Sequence, residues 1–92
     1  MIVNYIWAFK GEMGQFPSGL FYDFNKAENW IINEKLTGVL TKYPIDIPVY
    51  DWAIENKLFT PKKEEHKTPY FIGKFSCASM EHEHYEKGLK RK

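Results

Sequence analysis

Residues 2–9, with the sequence IVNYIWAF, decide the fold because apolar side chains alternate along both sides of the stretch. The odd-numbered positions that share one side are Val3, Tyr5, Trp7 and Phe9. Ile6 and Ala8 lie on the other side, since successive side chains of a strand point to opposite faces. A strand that is apolar on both faces is typical of the middle of a sheet or of a sheet covered on both sides. We therefore expect the first strand to be central or doubly covered.

The patterns that follow this strand predict a small α+β domain. Working outward, the predicted elements are a strand at 18–22, a helix at 24–35, a strand at 39–43, a helix at 48–58 and a strand at 70–76. Asp23 suits the N-cap of the first helix, and Pro48 suits the first turn of the second. Residues 80–85 add either an edge strand or a short turn of helix, and periodicity does not decide between them.

The element order is therefore β-β-α-β-α-β, with a final edge strand as an option. The simplest architecture for this order is a two-layer fold in which a mixed sheet carries both helices on one face. The unit from Leu20 to Tyr43 favours a right-handed parallel crossover if both of its strands join the sheet. We expect one domain at residues 1–87 and a basic tail at residues 88–92 that frays.

Composition and charge argue against several classes of protein. The chain has 92 residues and a formal net charge of +1, from 13 Lys and Arg against 12 Asp and Glu, which disfavours a nucleic-acid-binding surface. Its single cysteine, Cys77, allows no internal disulfide and indicates a reducing compartment. The apolar residues 1–9 are too few to span a bilayer and lack the basic start of a signal peptide. We therefore expect a soluble cytoplasmic protein without a membrane partner.

Several short motifs follow one another along the chain. They are FPSG at 16–19, LTGVLT at 36–41, YDWA at 50–53, LFTPK at 58–62, FIG at 71–73 and HEHYE at 82–86. With these motifs the chain resembles a small family of uncharacterised bacterial domains, over a span from about Trp7 to Gly88. The family has no assigned activity, so the resemblance implies a stand-alone bacterial domain and supplies no catalytic residue.

The pair His82 and His84 is the sharpest candidate for a metal site. On a strand, residues two apart point to the same side, so both imidazoles can reach one ion. The residues that might complete a zinc site are His66, Cys77, Glu83 and Glu86. Strong zinc signatures contain two separated ligand pairs, whereas this chain has one. A glutamate-rich edge strand whose charges discourage pairing with other sheets explains the same segment.

Two other groups of residues have a structural explanation that we favour over a catalytic one. Cys77 ends a hydrophobic run and suits a small buried position better than that of a nucleophile, which needs a lowered pKa. Asp46, Asp51 and Glu55 gather around the second helix, where Asp51 complements the helix dipole. We therefore predict no catalytic residue and no cofactor, with zinc as the alternative.

The high aromatic content, 17% of residues, points to binding. With the helices on one face of the sheet, the other face is open, and an apolar patch there needs a partner. The aromatic residues that we assign to this patch are Tyr5, Trp7, Phe21 and Tyr70. Either a second copy of the chain or the chain's own loops and C-terminal segment cover it. We therefore predict a non-catalytic interaction module, regulatory or immunity-like, that binds a protein partner or forms a homodimer; a zinc-binding domain is the alternative.

Overall fold

The computed structural model of the chain describes residues 3–91 and contains one five-stranded antiparallel sheet. The strands are β1 (Tyr5–Gly11), β2 (Gly19–Phe21), β3 (Gly38–Pro44), β4 (His82–Glu86) and β5 (Leu89–Lys90). The helices are α1 (Phe24–Glu34), α2 (Val49–Glu55) and α3 (Pro69–Lys74), with a 3-10 turn at Glu64–Lys67. The order of strands across the sheet is β2-β1-β3-β4-β5. The predicted α+β class is confirmed.

The first strand lies inside the sheet, with β2 on one side and β3 on the other. Trp7 stands opposite Phe21 of β2 and opposite Lys42 of β3. Phe9 stands opposite Leu40, and both side chains are fully buried. The apolar pattern on both sides of β1 thus indicated an inner strand correctly. Ile2, which belonged to the predicted strand, lies outside the described residues.

Helix α1 begins where the sequence placed its N-cap. The Asp23 carboxylate accepts the backbone N–H of Asn25 at 2.8 Å and that of Lys26 at 3.4 Å, which satisfies two donors of the first turn. The helix ends at Glu34, and Lys35 after it adopts a left-handed φ of 56°, a conformation that glycine most often supplies at a helix end. Its buried side chains, Ala27 and Ile31, pack on the sheet.

One face of the sheet is covered by α1, and we call it the covered face. The residues of this main core are Trp7, Phe9, Ala27, Ile31, Leu40 and Tyr85. Helix α2 reaches the same face through Trp52, whose Nε1 donates to the Tyr5 hydroxyl at 3.2 Å. We call the opposite face the outer face. By strand alternation its residues include Ile6, Ala8, Leu20, Val39, Thr41, Tyr43, His82 and His84.

The sheet is antiparallel throughout, which corrects the prediction of a mixed sheet. Strands β2 and β3 run parallel to each other, as the predicted crossover requires, because both are antiparallel to β1. However, β1 lies between them, so no parallel pair of strands forms among the described residues. The connection of β2 through α1 to β3 passes over the central strand.

The predicted strand at 70–76 is also wrong, since residues 69–74 form α3. The Thr68 hydroxyl accepts the backbone N–H of Phe71 at 3.2 Å, and Pro69 occupies the first helical turn, where its missing N–H has no partner to lose. These two residues start a helix. A short apolar run alone does not distinguish a helix from a strand.

The last part of the chain forms a hairpin, which settles the conformation that periodicity left open. Strand β4 pairs with β3 on one side and with β5 on the other. Lys87 and Gly88, with φ values of 51° and 82°, form the two-residue turn, and two positive φ values suit the twist of a hairpin. Leu89 and Lys90 of the predicted frayed tail are therefore paired in the sheet.

A second apolar cluster, which we call the aromatic cluster, lies apart from the main core. Its rings are Tyr50, Phe59, His66, Phe71 and Phe75. It lengthens the molecule: the radius of gyration is 14.7 Å, compared with about 12.3 Å for a compact domain of this length. No helix among the described residues is long and apolar enough to cross a membrane.

Candidate functional site

Four strongly exposed apolar side chains lie on one short stretch of chain at the β1–β2 hairpin, while Leu89 of β5 is a separate exposed residue at the other edge of the sheet. Met13, Phe16, Leu20 and Tyr22 expose 94%, 76%, 62% and 79% of their surface, respectively. We call these four residues the hairpin surface, because they lie in the β1–β2 loop and along β2. Residues 13–22 contain no charged side chain, and the nearest charges are Glu12 and Asp23. Edge strands usually carry charges that prevent association, and this one does not.

The loop that carries the hairpin surface is anchored by backbone hydrogen bonds. Gly14 N–H donates to the Gly11 carbonyl at 2.9 Å, and Met13 adopts a positive φ of 68° in this turn. Glu12 N–H donates to the Thr37 carbonyl at 2.9 Å, which ties the loop to the chain before β3. Ser18 N–H donates to the Phe9 carbonyl at 2.8 Å and closes the loop. The exposed side chains thus stand on a fixed backbone.

Strand β2 presents Leu20 outward because its neighbours are held against α1. The Phe21 ring packs on Trp30 at a centroid distance of 5.6 Å. A methyl group at Gly19 would lie 2.8 Å from Phe21 and 3.1 Å from Trp30, so a larger residue there would force these rings to shift. Leu20, between these residues, points to the outer face, as strand alternation requires. The second edge of β2 has no partner strand in the described part of the chain.

Three of the four residues that the sequence assigned to an open aromatic face lie on the covered face. Trp7 is 8% exposed and packs against Phe24 at a centroid distance of 4.8 Å. Phe21 lies opposite Trp7 in the sheet, and Tyr5 bonds to Trp52. Tyr70 is exposed, but it belongs to α3 and not to the sheet. These four residues therefore do not form an exposed aromatic patch on the open face of the sheet, and the exposed apolar residues at this end of the sheet are those of the hairpin surface.

His82 and His84 lie side by side on the outer face, as the sequence predicted. Their ring centroids are 5.2 Å apart with an angle of 79° between the planes, and both residues are exposed. The Nδ1 atom of His82 lies 2.7 Å from the carbonyl oxygen of Met80. Their neighbours across the sheet are Thr41 and Val39, which carry no charge. The two imidazoles are thus accessible from one side.

The other predicted metal ligands do not complete a site around this pair. His66 belongs to the aromatic cluster, and its Nδ1 accepts backbone N–H groups of Lys62 and Lys63 at 3.2 and 3.4 Å. Cys77 is half-buried and lines a shallow groove with His82 and His84. Within residues 3–91, no three His, Cys, Asp or Glu side chains are grouped closely enough to hold a metal ion.

The three acidic residues near α2 do come together along one groove. Asp46, Asp51 and Glu55 line a groove of about 770 Å³ together with apolar residues such as Ile45 and Ile54. Asp51 lies in the first turn of α2, where the helix dipole favours a negative charge. The arrangement agrees with the structural explanation given for Asp51.

A charged group of residues joins α1 to the last hairpin. The Tyr85 hydroxyl donates to Glu28 Oε2 at 2.7 Å, and the Lys90 ammonium lies 3.1 Å from the same oxygen. The hydrogen bond from Tyr85, aided by Lys90, holds the pKa of Glu28 below its ordinary value, although burial opposes this. Burial, followed by the negative charge of Glu28, raises the pKa of Tyr85. Each residue holds another in place, so we regard this group as structural.

The fold and its surfaces define a small α+β domain built on a single antiparallel sheet, with one fixed apolar hairpin and one exposed histidine pair. Comparison of sequences shows that the chain belongs to a family described as a domain of unknown function (DUF7710), whose profile matches residues 6–91. The resemblance to an uncharacterised small domain family is confirmed. Neither curated proteins nor solved structures gave a match.

Sequence reasoning missed the hairpin surface, although a signal was present. The glycines and the proline at residues 11–17 favour a turn, and a turn alone gives no reason to expect a binding surface. The uncharged stretch of residues 13–22 was the available signal, since an exposed loop of ten residues normally contains charges. Four large apolar side chains within that stretch are more than a turn needs.

Proposed function

We propose that this protein is a small non-catalytic interaction module that binds a protein partner through the hairpin surface. The observation that carries the proposal is the exposure of Met13, Phe16, Leu20 and Tyr22 on ten uncharged residues at an unpaired sheet edge. Apolar side chains bind by removal from water, and of these four residues only Tyr22 carries a titratable group, its hydroxyl. The partner therefore presents an apolar surface of its own.

The size of the hairpin surface supports this proposal. An aromatic side chain removes about 150–250 Å² from water when it is buried. Phe16 and Tyr22, each more than three-quarters exposed, therefore offer roughly 230–390 Å² between them. Met13 and Leu20 add to this area. The largest apolar patch of a monomer is about 300–600 Å² and is often functional, so the hairpin surface is within the range of a binding patch.

The fixed loop backbone also supports binding, because little conformational entropy is lost when the partner docks. The three hydrogen bonds at Glu12, Gly14 and Ser18 already hold the loop in one shape. We further propose that this binding takes place in the bacterial cytoplasm, where a chain with one cysteine needs no disulfide. Regulation or immunity is the kind of role that suits a module of this size.

Photo-crosslinking from two matched positions tests the proposal. A photoreactive phenylalanine is placed at Phe16 in one chain and at Tyr70 in another, and each chain is expressed in the host of origin. Both positions are 76% exposed, so their access to solvent is equal, whereas only Phe16 belongs to the hairpin surface. We expect one major adduct from position 16 and none of the same mass from position 70. An adduct of twice the chain mass would identify the partner as a second copy.

A second substitution shows whether the adduct reports specific binding. Leu20→Asp adds a charge to the hairpin surface at a position that is 62% exposed, so the fold should be retained. We expect it to remove the adduct at position 16, because burial of an unpaired carboxylate is costly. An adduct that persists at position 16 in the presence of Leu20→Asp, or an equal adduct from position 70, would contradict the proposal.

A further inference from the structure

We propose that His82 and His84 form one half of a tetrahedral zinc site, which the same two histidines of a second copy of the chain complete. The site lies on the outer face of β4, the face that also carries Leu20, but it is built from imidazoles and not from apolar side chains, so zinc uptake is measured separately from the function proposed for the hairpin surface. One zinc ion is bound there by four imidazole rings, two from each copy of the chain.

The distance between the two rings agrees with binding of one zinc ion. A zinc–nitrogen bond is about 2.0–2.1 Å, which places the ion about 3.2 Å from the centroid of a bound imidazole. Two imidazoles at the tetrahedral angle of about 109° then have centroids about 5.2 Å apart. The centroids of His82 and His84 are 5.2 Å apart. The separation of the two ring centroids is therefore compatible with binding of both imidazoles to one tetrahedral ion.

The hydrogen bond made by the Nδ1 atom of His82 leaves the Nε2 atom of the same ring free to bind a metal ion. A backbone carbonyl only accepts hydrogen bonds, so the Nδ1 atom that lies 2.7 Å from the Met80 carbonyl must carry a hydrogen. In the neutral ring the Nε2 atom then has a free lone pair, which can bind a metal. Histidine ligands of metals usually donate their second N–H to a carbonyl or carboxylate in this way. Met80 is buried, so this carbonyl holds the ring in a fixed orientation.

The surroundings of the pair leave room for an ion and for a partner. Thr41 and Val39, the residues opposite the two histidines in β3, are small and uncharged. Lys10, which stands opposite Val39 in β1, and Arg91 share a groove with His84, and the backbone N–H of Arg91 donates to the His84 carbonyl at 2.7 Å. Its guanidinium lies 3.8 Å from the Glu86 carboxylate, which balances its charge.

A second copy is the natural source of the remaining ligands. Structural zinc sites have four protein ligands, and within residues 3–91 no third ligand joins the pair. A two-fold axis through the ion brings His82 and His84 of a second copy into place and so provides four imidazoles. Two-fold dimers are the commonest assembly of soluble proteins, and a two-fold interface uses the same surface on both copies.

Zinc-dependent dimerisation of the full chain tests the inference. Tag-free protein is freed of metal with a chelator, zinc sulfate is added at neutral pH, and native mass spectrometry and sedimentation velocity measure mass and zinc content. We expect one zinc ion for two chains, a mass twice the 10.9 kDa of the chain and return to the monomer with excess chelator. The His84→Ala variant, altered at an exposed position, should lose both zinc uptake and dimerisation.

Three further variants distinguish a zinc site shared by two copies from zinc binding elsewhere in the chain. His82→Ala should behave like His84→Ala, while His66→Ala, altered in the aromatic cluster, should bind zinc and dimerise as the natural chain does. Circular dichroism verifies that each variant is folded. The inference fails if the natural chain takes up no zinc, or if His84→Ala takes up zinc normally. It also fails if one zinc ion binds each monomer and Cys77→Ser releases it, since the groove residue Cys77 would then be the ligand instead of a second copy.

Discussion

Replacement of Tyr85 by Phe removes one hydroxyl group and, with it, the hydrogen bond between β4 and α1. The hydroxyl donates to Glu28 Oε2 at 2.7 Å, and Tyr85 is almost fully buried. The ring itself is kept, so its packing in the main core does not change. The substitution therefore isolates a single polar interaction that holds the last hairpin against the first helix.

The expected cost follows from the charge and the exposure of the two partners. Hydrogen bonds to charged groups contribute about 1.5–3 kcal/mol to stability. The Glu28 side chain is 24% exposed and keeps Lys90 at 3.1 Å, so water and the ammonium partly compensate the carboxylate for the lost donor. We therefore expect Tyr85→Phe to cost about 1.5–2 kcal/mol, in the lower part of that range. For a domain of this size the melting temperature should fall by roughly 6–16 °C.

A double-mutant cycle measures the interaction directly. The free energies of unfolding of the natural chain, Tyr85→Phe, Glu28→Ala and the double variant are obtained from urea denaturation followed by tryptophan fluorescence, to which Trp7 and Trp30 contribute from around the main core. We expect a coupling energy of about 1–2 kcal/mol between the two positions. If Tyr85→Phe costs the same with Glu28→Ala as without it, the hydrogen bond does not contribute to stability and this reasoning is refuted.

The same pair makes stability depend on pH. The pKa of Glu28 is lower in the folded chain than in the unfolded chain, so its contribution is present above the ordinary glutamate pKa of about 4.3 and is lost as the pH falls through the folded value. The pKa of Tyr85 is raised on folding, so its contribution is complete below about pH 10 and decreases at higher pH. The stability difference between the natural chain and Tyr85→Phe should therefore be smaller at pH 3 than at pH 7.

Three further substitutions test the backbone, each by its free energy of unfolding in urea. Gly38→Ala should destabilise the chain by about 2–3 kcal/mol, because the added methyl group would overlap the Lys10 carbonyl and the Phe9 ring across the sheet. Gly73→Ala should stabilise it by about 0.5–1 kcal/mol, because nothing lies within 4 Å of the added carbon in α3; a loss would show that residues 69–74 are not helical. Lys35→Gly should be neutral or stabilising by up to about 1 kcal/mol, since its φ of 56° suits glycine at the end of α1.

The first half of the fold was predictable because its signals are local. Period-two alternation at β1 and the carboxylate of Asp23 each determine the backbone within a few residues. Pro48, predicted within the first turn of a helix at 48–58, instead lies just before α2 in an extended conformation, and the helix ends earlier, at Glu55. The strand order was not predictable, because it depends on which edge of β1 each later strand reaches. The helix α3 was missed although Thr68-Pro69 is a helix start, since the apolar run after it fits a strand equally well.

The candidate sites were predictable only in part, for a physical reason. Alternation placed Tyr5 and Trp7 on one face correctly, but both faces of β1 are apolar, so the pattern alone cannot show which face α1 covers. The histidine pair followed from alternation alone. The contact of His82 with Met80 did not, because it depends on the turn that precedes β4.

The separation of the aromatic cluster from the main core has a consequence for how the molecule opens. Helix α3 packs mainly against the 3-10 turn, and the rings of Phe59, Phe71 and Phe75 contact one another. This part of the chain can therefore unfold locally while β1 and β3 remain paired, at a lower free energy than global unfolding. Amide hydrogens of α3 should exchange with solvent long before those of β1. On heating, α3 and the aromatic cluster should unfold before the sheet does.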